Sequence, residues 1–373
     1  MDQTPLSGSS RIRSTQSTRA TSVSAGSRRS SACDKGFQQH LIDYKIYPEG
    51  YESGNGLPSS EPSNLDHIQE ALSADRASLS PSQFTQSTFR DFKNKNKRVI
   101  FESDVMSAVI PVICGNSSID SQQNVLFTEL DPITSTDAVK PKPDLFDGAS
   151  LVNIHEDVRN NPILKSKVIP TKHPNIPMAP NFFMEVKGPN GNASVAQRQA
   201  CYDGAYGVRA MHALKNHGKT EEQYDGDAYT YSSTYHPATG TLQLYAHHAT
   251  APVDAGGRPE YHMTQIDTWG MTGNINSFRR GATALRNARD LARQQRDNLI
   301  QAANACHVRP EVQKNDAGWR DAHDDLQGQI SDAYDDNSGE DPETYNTLQF
   351  HRRTTGLRTL AKNRLHWGQT TLI

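Results

Sequence analysis

The chain has 373 residues, 34% of them hydrophobic, a mean hydropathy of -0.73 and a formal net charge of -3. It is more polar than a packed body of this length, so one core domain flanked by unfolded tails is expected, and the charge balance excludes a globally basic nucleic-acid binder, leaving such binding to local patches. No apolar run approaches the roughly 18 residues of a membrane span, and the scattered Cys33, Cys114, Cys201 and Cys306 lack metal spacing, which predicts a soluble intracellular protein of nucleus or cytoplasm with reduced thiols and no membrane partner.

In chain order, residues 1–35 hold 14 Ser or Thr and six Lys or Arg against two Asp, and the region 1–65 is expected to be disordered. The spacing of Val99, Ile100, Val105, Met106, Val109, Ile110 and Ile113 predicts a helix over 99–113, kinked or ended by Pro111, with Glu102 on its polar side. A short strand or hairpin at 141–154 and a short helix at 156–164 follow. Pro170, Pro174, Pro177 and Pro180 then mark a loop that cannot be central strand. The strand 182–187 ends at Gly188-Pro189-Asn190-Gly191, a turn signal, and a helix is expected over 194–214. Alternation predicts a hairpin of 229–235 and 241–247, another strand at 261–269 and a long helix at 276–303. From 311 to 373 the chain reads as a solvated tail. Residues 315–343 carry ten acids against Arg320, and Arg352, Arg353, Arg358, Lys362 and Arg364 follow with no acid.

The chemistry centres on the strand 182–187. A strand repeats every two residues, so Glu185 and Lys187 share one face while Met184 and Val186 take the other. If Asp144 on a neighbouring strand faces the same space, two carboxylates can hold a divalent metal while Lys187 stabilises an anion or orients a water. Asp147, before Gly148, reads instead as a turn cap. Gln199, Tyr202 and Tyr206 recur at three and four residues, so one face of the following helix can return to the site. On the long helix, Arg286, Arg289, Arg293 and Arg296 fall within an arc of about 80 degrees, a row able to track a phosphate backbone although Asp290 and Asp297 weaken its field. His236, His247, His248 and His262 lack zinc-site spacing and read as ordinary hydrogen-bonded residues.

Three stretches, Lys142-Pro143-Asp144-Leu145-Phe146-Asp147-Gly148, Pro180-Asn181-Phe182-Phe183-Met184-Glu185-Val186-Lys187-Gly188-Pro189 and Arg198-Gln199-Ala200-Cys201-Tyr202-Asp203-Gly204-Ala205-Tyr206-Gly207, together resemble the PD-(D/E)XK nuclease superfamily. More narrowly, they look like a fungal group carrying such a domain. The resemblance covers roughly residues 85–305 and neither end. It implies an α/β restriction-endonuclease-like core over 66–310, with a mixed sheet flanked by helices in the order helix, three strands, second helix, further strands. It also implies Mg2+ or Mn2+ held by Asp144 and Glu185, with Glu102 as a third carboxylate, Lys187 and Gln199 assisting, and Tyr202 near the phosphate of a DNA or RNA substrate. Asp144 and Glu185 stand 41 positions apart, which requires an insertion between them. The alternative is a catalytically inactive module of the same fold that binds nucleic acid or protein.

Overall fold

Alternation along the Glu-x-Lys strand sends its apolar side chains into two separate cores. Phe182, Met184 and Val186 pack with Leu145, Tyr231 and Leu285, whereas Phe183 packs with Ala200, Tyr202 and Tyr206 on the other side. A strand buried on both faces must lie inside a sheet covered twice. The computed structural model describes residues 30–306 apart from 53–55, 57, 58 and 137. Its strands are β1 (Ile46–Tyr47), β2 (Ser121–Gln122), β3 (Leu145–Ala149), β4 (Met178–Val186), β5 (Thr230–His236), β6 (Thr241–Thr250) and β7 (Glu260–Gly270). They form one seven-stranded mixed sheet in the order β1-β7-β6-β5-β4-β3-β2, with β4–β5 and β1–β7 parallel and the other pairs antiparallel. The helices are α1 (Phe37–Asp43), α2 (Leu65–Ser73), α3 (Gln86–Arg98), α4 (Glu102–Asp104), α5 (Ile110–Cys114), α6 (Glu156–Asn160), α7 (Pro162–Val168), α8 (Ala193–Lys215) and α9 (Ile275–Ala305). α8 covers one face of the sheet and α9, with α3 to α5, the other, giving the expected α/β class. None of the described helices is long and apolar enough to cross a membrane.

Several expectations are corrected. Residues 30–65 were expected to lack a packed core, yet Phe37 and Leu41 of α1 are fully buried and β1 pairs with β7 from Ile46 to Tyr261. Those few large apolar residues suffice because the sheet edge supplies backbone partners that composition does not reveal. Residues 1–29 and the acidic and basic tail 311–373 lie outside the described residues. Pro180 belongs to β4 and not to a loop, at the point where the β3–β4 register shifts between Asp147 and Ala149. Proline, lacking an N–H, is tolerated at such an irregularity, and the adjoining Ala179 takes a φ of 50°. The 99–113 helix is α4, a π-helical turn over Val105–Val109 and α5, one continuous run in which Pro111 stands just after the π-helical turn. α3 escaped the periodicity reading because only Phe89, Phe92 and Asn96 of its 13 residues are buried.

The histidines stay structural. Nε2 of His247 hydrogen-bonds Ser232 Oγ at 2.6 Å, and α8 passes so close that a Cβ on Gly204 would lie 2.3 Å from the His247 ring. The rings of His248 and His262 stack at 4.9 Å, and His262 bonds Thr250 and Ser59. Burial above all, then the neighbouring imidazole, pushes the pKa values of His247 and His248 down to about 3. A lowered folded-state value means that the unfolded chain binds more protons between pH 3 and the ordinary 6.5, so this stability is complete above pH 6.5 and lost as pH falls towards 3. Between pH 6.5 and 5, His247 should account for about 2 kcal/mol of lost stability. Denaturant midpoints at the two pH values should show a steep fall that His247→Gln flattens. An equally steep fall in that variant would assign the acid sensitivity elsewhere.

Candidate active site

The sheet brings together residues that the chain separates. Asp144 stands immediately before β3 and Glu185 on the facing β4, where Leu145 pairs with Met184. A 3-10 turn at Leu151–Asn153, α6 and α7 fill the intervening chain. Two reciprocal hydrogen bonds lock the carboxylates: Asp144 N–H donates to Glu185 Oε1 at 3.2 Å, and Val186 N–H donates to Asp144 Oδ2 at 2.8 Å. Lys187 Nζ lies 3.9 Å from Asp144 Oδ2, 3.9 Å from Glu185 Oε2 and 3.3 Å from Glu102 Oε2, and it donates to the Val186 carbonyl at 2.7 Å. Glu185 is fully buried, Asp144 and Lys187 nearly so, and Glu102 at the start of α4 is half-exposed.

Packing a carboxylate cluster around one ammonium shifts its proton equilibria. Burial raises the Asp144 pKa, opposed by Lys187 and the Val186 N–H. Burial raises Glu185 further, reinforced by the charges of Asp203 and Asp144. Asp203 on α8 is the residue that sequence reasoning missed. It is buried, its carboxyl is coupled electrostatically to Glu185, and its pKa is pushed up to about 7, chiefly by burial. Two coupled carboxyls, both buried, disfavour double ionisation. The signal was legible: Asp203 is a lone acid among Ala200, Gly204, Ala205 and Gly207, small residues that let α8 approach the sheet. Gln199 stands one turn earlier on the same helix, its Oε1 enclosed and without a hydrogen-bond partner.

A metal fits these donors in chemistry. Carboxylate oxygens suit Mg2+ or Mn2+, and Glu185 Oε2 is a buried acceptor with no hydrogen-bond partner. The donor set is a pair, Asp144 and Glu185. Among the described residues no group of three or more His, Cys, Asp or Glu is placed to hold a metal, and Glu102 enters as the ion-pair partner of Lys187.

The other expected contacts lie elsewhere. Tyr202 is buried, its hydroxyl donating to the Val139 carbonyl and its ring edge-on to Phe37 and Tyr206, so it packs in the α8 core and is not presented to a nucleic acid. The arginine row of α9 turns inward. Arg289 clamps Asp147 through Nε and a terminal nitrogen at 2.8 and 2.9 Å, Arg286 donates to the Ile113 and Val112 carbonyls, and Arg296 reaches Asn181 at 2.8 Å. Arg286 and Arg293 stay partly exposed, the latter bonded to Ser118 and Asp290. Asp147 is accordingly a fully buried ion-pair partner within β3, not a turn cap. Arg286, Arg289 and Arg296 tie α9 to α5, β3 and β4, so these three are engaged within the fold and do not form an open row for a phosphate backbone.

The family model described as "Domain of unknown function (DUF7924)" matches residues 84–303, more than half of the chain, and the protein belongs to that family. No curated protein and no solved structure matches.

Proposed function

We propose that this DUF7924 family member hydrolyses nucleic-acid phosphodiesters with the help of Mg2+ or Mn2+, on a restriction-endonuclease-like core. The observation that carries the reading is the meeting of Asp144, Glu185 and Lys187 across two strands, with the ammonium 3.9 Å from both carboxylates. The order of helix, β2, β3, β4, α8 and β5, with α6 and α7 inserted between β3 and β4 and β5 parallel to β4, supports it by following, apart from that insertion, the order that the nuclease resemblance implies. Asp144 and Glu185 would hold the metal, which when bound polarises the phosphoryl oxygen and makes water a stronger nucleophile. Two backbone N–H groups fix the carboxylates in advance, so little reorganisation is needed on binding. Lys187 stabilises the negative charge that develops as the phosphodiester is attacked, its ammonium set beside the Asp144 and Glu185 carboxylates. Gln199 assists by orienting water or phosphate.

The test pairs a metal titration with cleavage of single- and double-stranded DNA and RNA. Glu185→Gln, which keeps the side chain's shape and removes one anionic donor, should weaken Mg2+ or Mn2+ binding by about tenfold or more and abolish metal-stimulated cleavage. A wild-type protein that binds neither ion and cuts none of the substrates would overturn the catalytic reading and leave a non-catalytic module.

A further inference from the structure

The segment entering the site is charged and apolar in a way that the Asp144, Glu185 and Lys187 cluster does not use. α3 carries Arg90, Lys93, Lys95, Lys97 and Arg98 within nine positions, against the single acid Asp91. At 100 degrees per residue, Arg90, Lys93 and Lys97 fall within about 60 degrees of one another. Favourable placement at the helix C-terminus accounts for part of this, since the dipole rewards cations in the last turn. It does not account for where they point. Lys93 and Lys97 line a groove of about 380 Å³ that is also lined by Pro189, two residues beyond Lys187. None of the ion pairs among the described residues involves Arg90, Lys93, Lys95, Lys97 or Arg98.

Next in sequence come Ile100 and Phe101, 67% and 66% exposed, directly before Glu102, whose carboxylate pairs with Lys187. Among the described residues Phe101 is the only aromatic of the exposed large apolar side chains. Its backbone is not loose. The Ile100 and Phe101 N–H groups both donate to Asp104 Oδ2 at 2.9 Å, and Gly188 packs so closely that a Cβ there would lie 3.3 Å from Glu102 N. An apolar pair is therefore held out in water at the rim of the candidate site, between a row of cations without ion-pair partners, Lys93 resting over the Phe89 ring at 5.7 Å, and the residues that would meet a phosphate. Cations spaced along a groove and followed by a fixed aromatic are what a nucleic-acid strand with an unpaired base requires, the phosphates on the lysines and the base on the ring.

We infer that the Lys93 and Lys97 groove and the Phe101 step guide a single nucleic-acid strand into the site, which makes the substrate single-stranded or frayed DNA or RNA; this assignment rests on the hydrolytic reading of that site. The test measures binding of the full chain to labelled single-stranded DNA, single-stranded RNA and duplex DNA by fluorescence anisotropy in EDTA, so that affinity is read without cleavage. The wild type should prefer the single strands, and whichever of DNA or RNA binds more tightly identifies the substrate. Lys93→Ala with Lys97→Ala should weaken single-strand binding about tenfold or more near 50 mM salt and reduce the slope of log affinity against log salt by about 1.4, or 0.7 per lost phosphate contact. Phe101→Ser should weaken it about tenfold with the slope unchanged, as loss of one stacked base requires. Lys165→Ala with Lys167→Ala on α7 carries the same charge change and should leave binding unaltered. Equal losses in the control, or wild-type binding in the α3 variant, would overturn the groove, and duplex preference insensitive to Phe101 would overturn the stacking step. Binding with this variant pattern but no metal-dependent cleavage would sink the catalytic reading and retain the groove, whereas metal-dependent cleavage indifferent to the α3 variants would do the reverse.

Discussion

Replacing Lys187 with Met should lower metal-dependent phosphodiester hydrolysis about 100-fold or more, because one preorganised contact to developing charge is worth several kcal/mol in a water-poor site. Met keeps the length and the apolar stem of Lys187 and removes only the charge. Glu102, Asp144 and Glu185, each within 3.9 Å of Nζ, would then lose their shared cation. Their combined negative charge should retain the metal or bind it more tightly, so rate and metal affinity should separate in this variant, whereas in Glu185→Gln they fall together. Folding supplies a second readout. Without the ammonium, carboxylates buried as deeply as Asp144 and Glu185 repel one another, and thermal stability in EDTA should drop and be regained when Mg2+ is added. Hydrolysis at the wild-type rate would remove Lys187 from the chemistry and, with it, the central support for the catalytic reading.

Arg289→Met should destabilise the protein by about 3–5 kcal/mol, the usual consequence of leaving one member of a buried ion pair unpaired. The guanidinium and Asp147 are 6% and 0% exposed, bonded twice, and shared with Ser121, whose hydroxyl donates to the same carboxylate at 2.6 Å. Asp147 is fully buried, so an orphaned carboxylate there would be out of reach of bulk solvent. Combining Arg289→Met with Asp147→Leu should recover most of the loss, since two apolar groups of similar volume leave nothing unpaired. Denaturant unfolding of the two single variants and the double variant measures the coupling. A single variant as stable as the wild type would contradict a structural role for this arginine and return it to the surface row that the sequence suggested.

The local chain is enough to specify the elements whose reasons are local. The two-residue period of 182–187 puts Glu185 and Lys187 on one side, Gly188-Pro189-Asn190-Gly191 ends the strand, and the 229–247 hairpin and the helices α8 and α9 follow from turn residues and helical spacing. The proximity of Asp144 to that strand was legible only as a condition, through the resemblance. What satisfies it is a β3–β4 pairing that spans 41 positions and whose register no local period encodes. The same limit explains the arginines of α9. Helical spacing places them in one row, but whether a row meets solvent or a partner depends on what folds over it, and here β3 and α5 bring Asp147 and the Ile113 carbonyl to Arg289 and Arg286. Asp203 looked like one acid on a helix until α8 closed on Glu185, and Pro180 like a strand breaker until the β3–β4 register shift accommodated it. Periodicity decides which side chains share a face because it is a property of the backbone alone, while the partner of that face is a non-local contact made only when distant segments pack, and for this chain that packing decides which charges gather at the site and which are spent holding the fold.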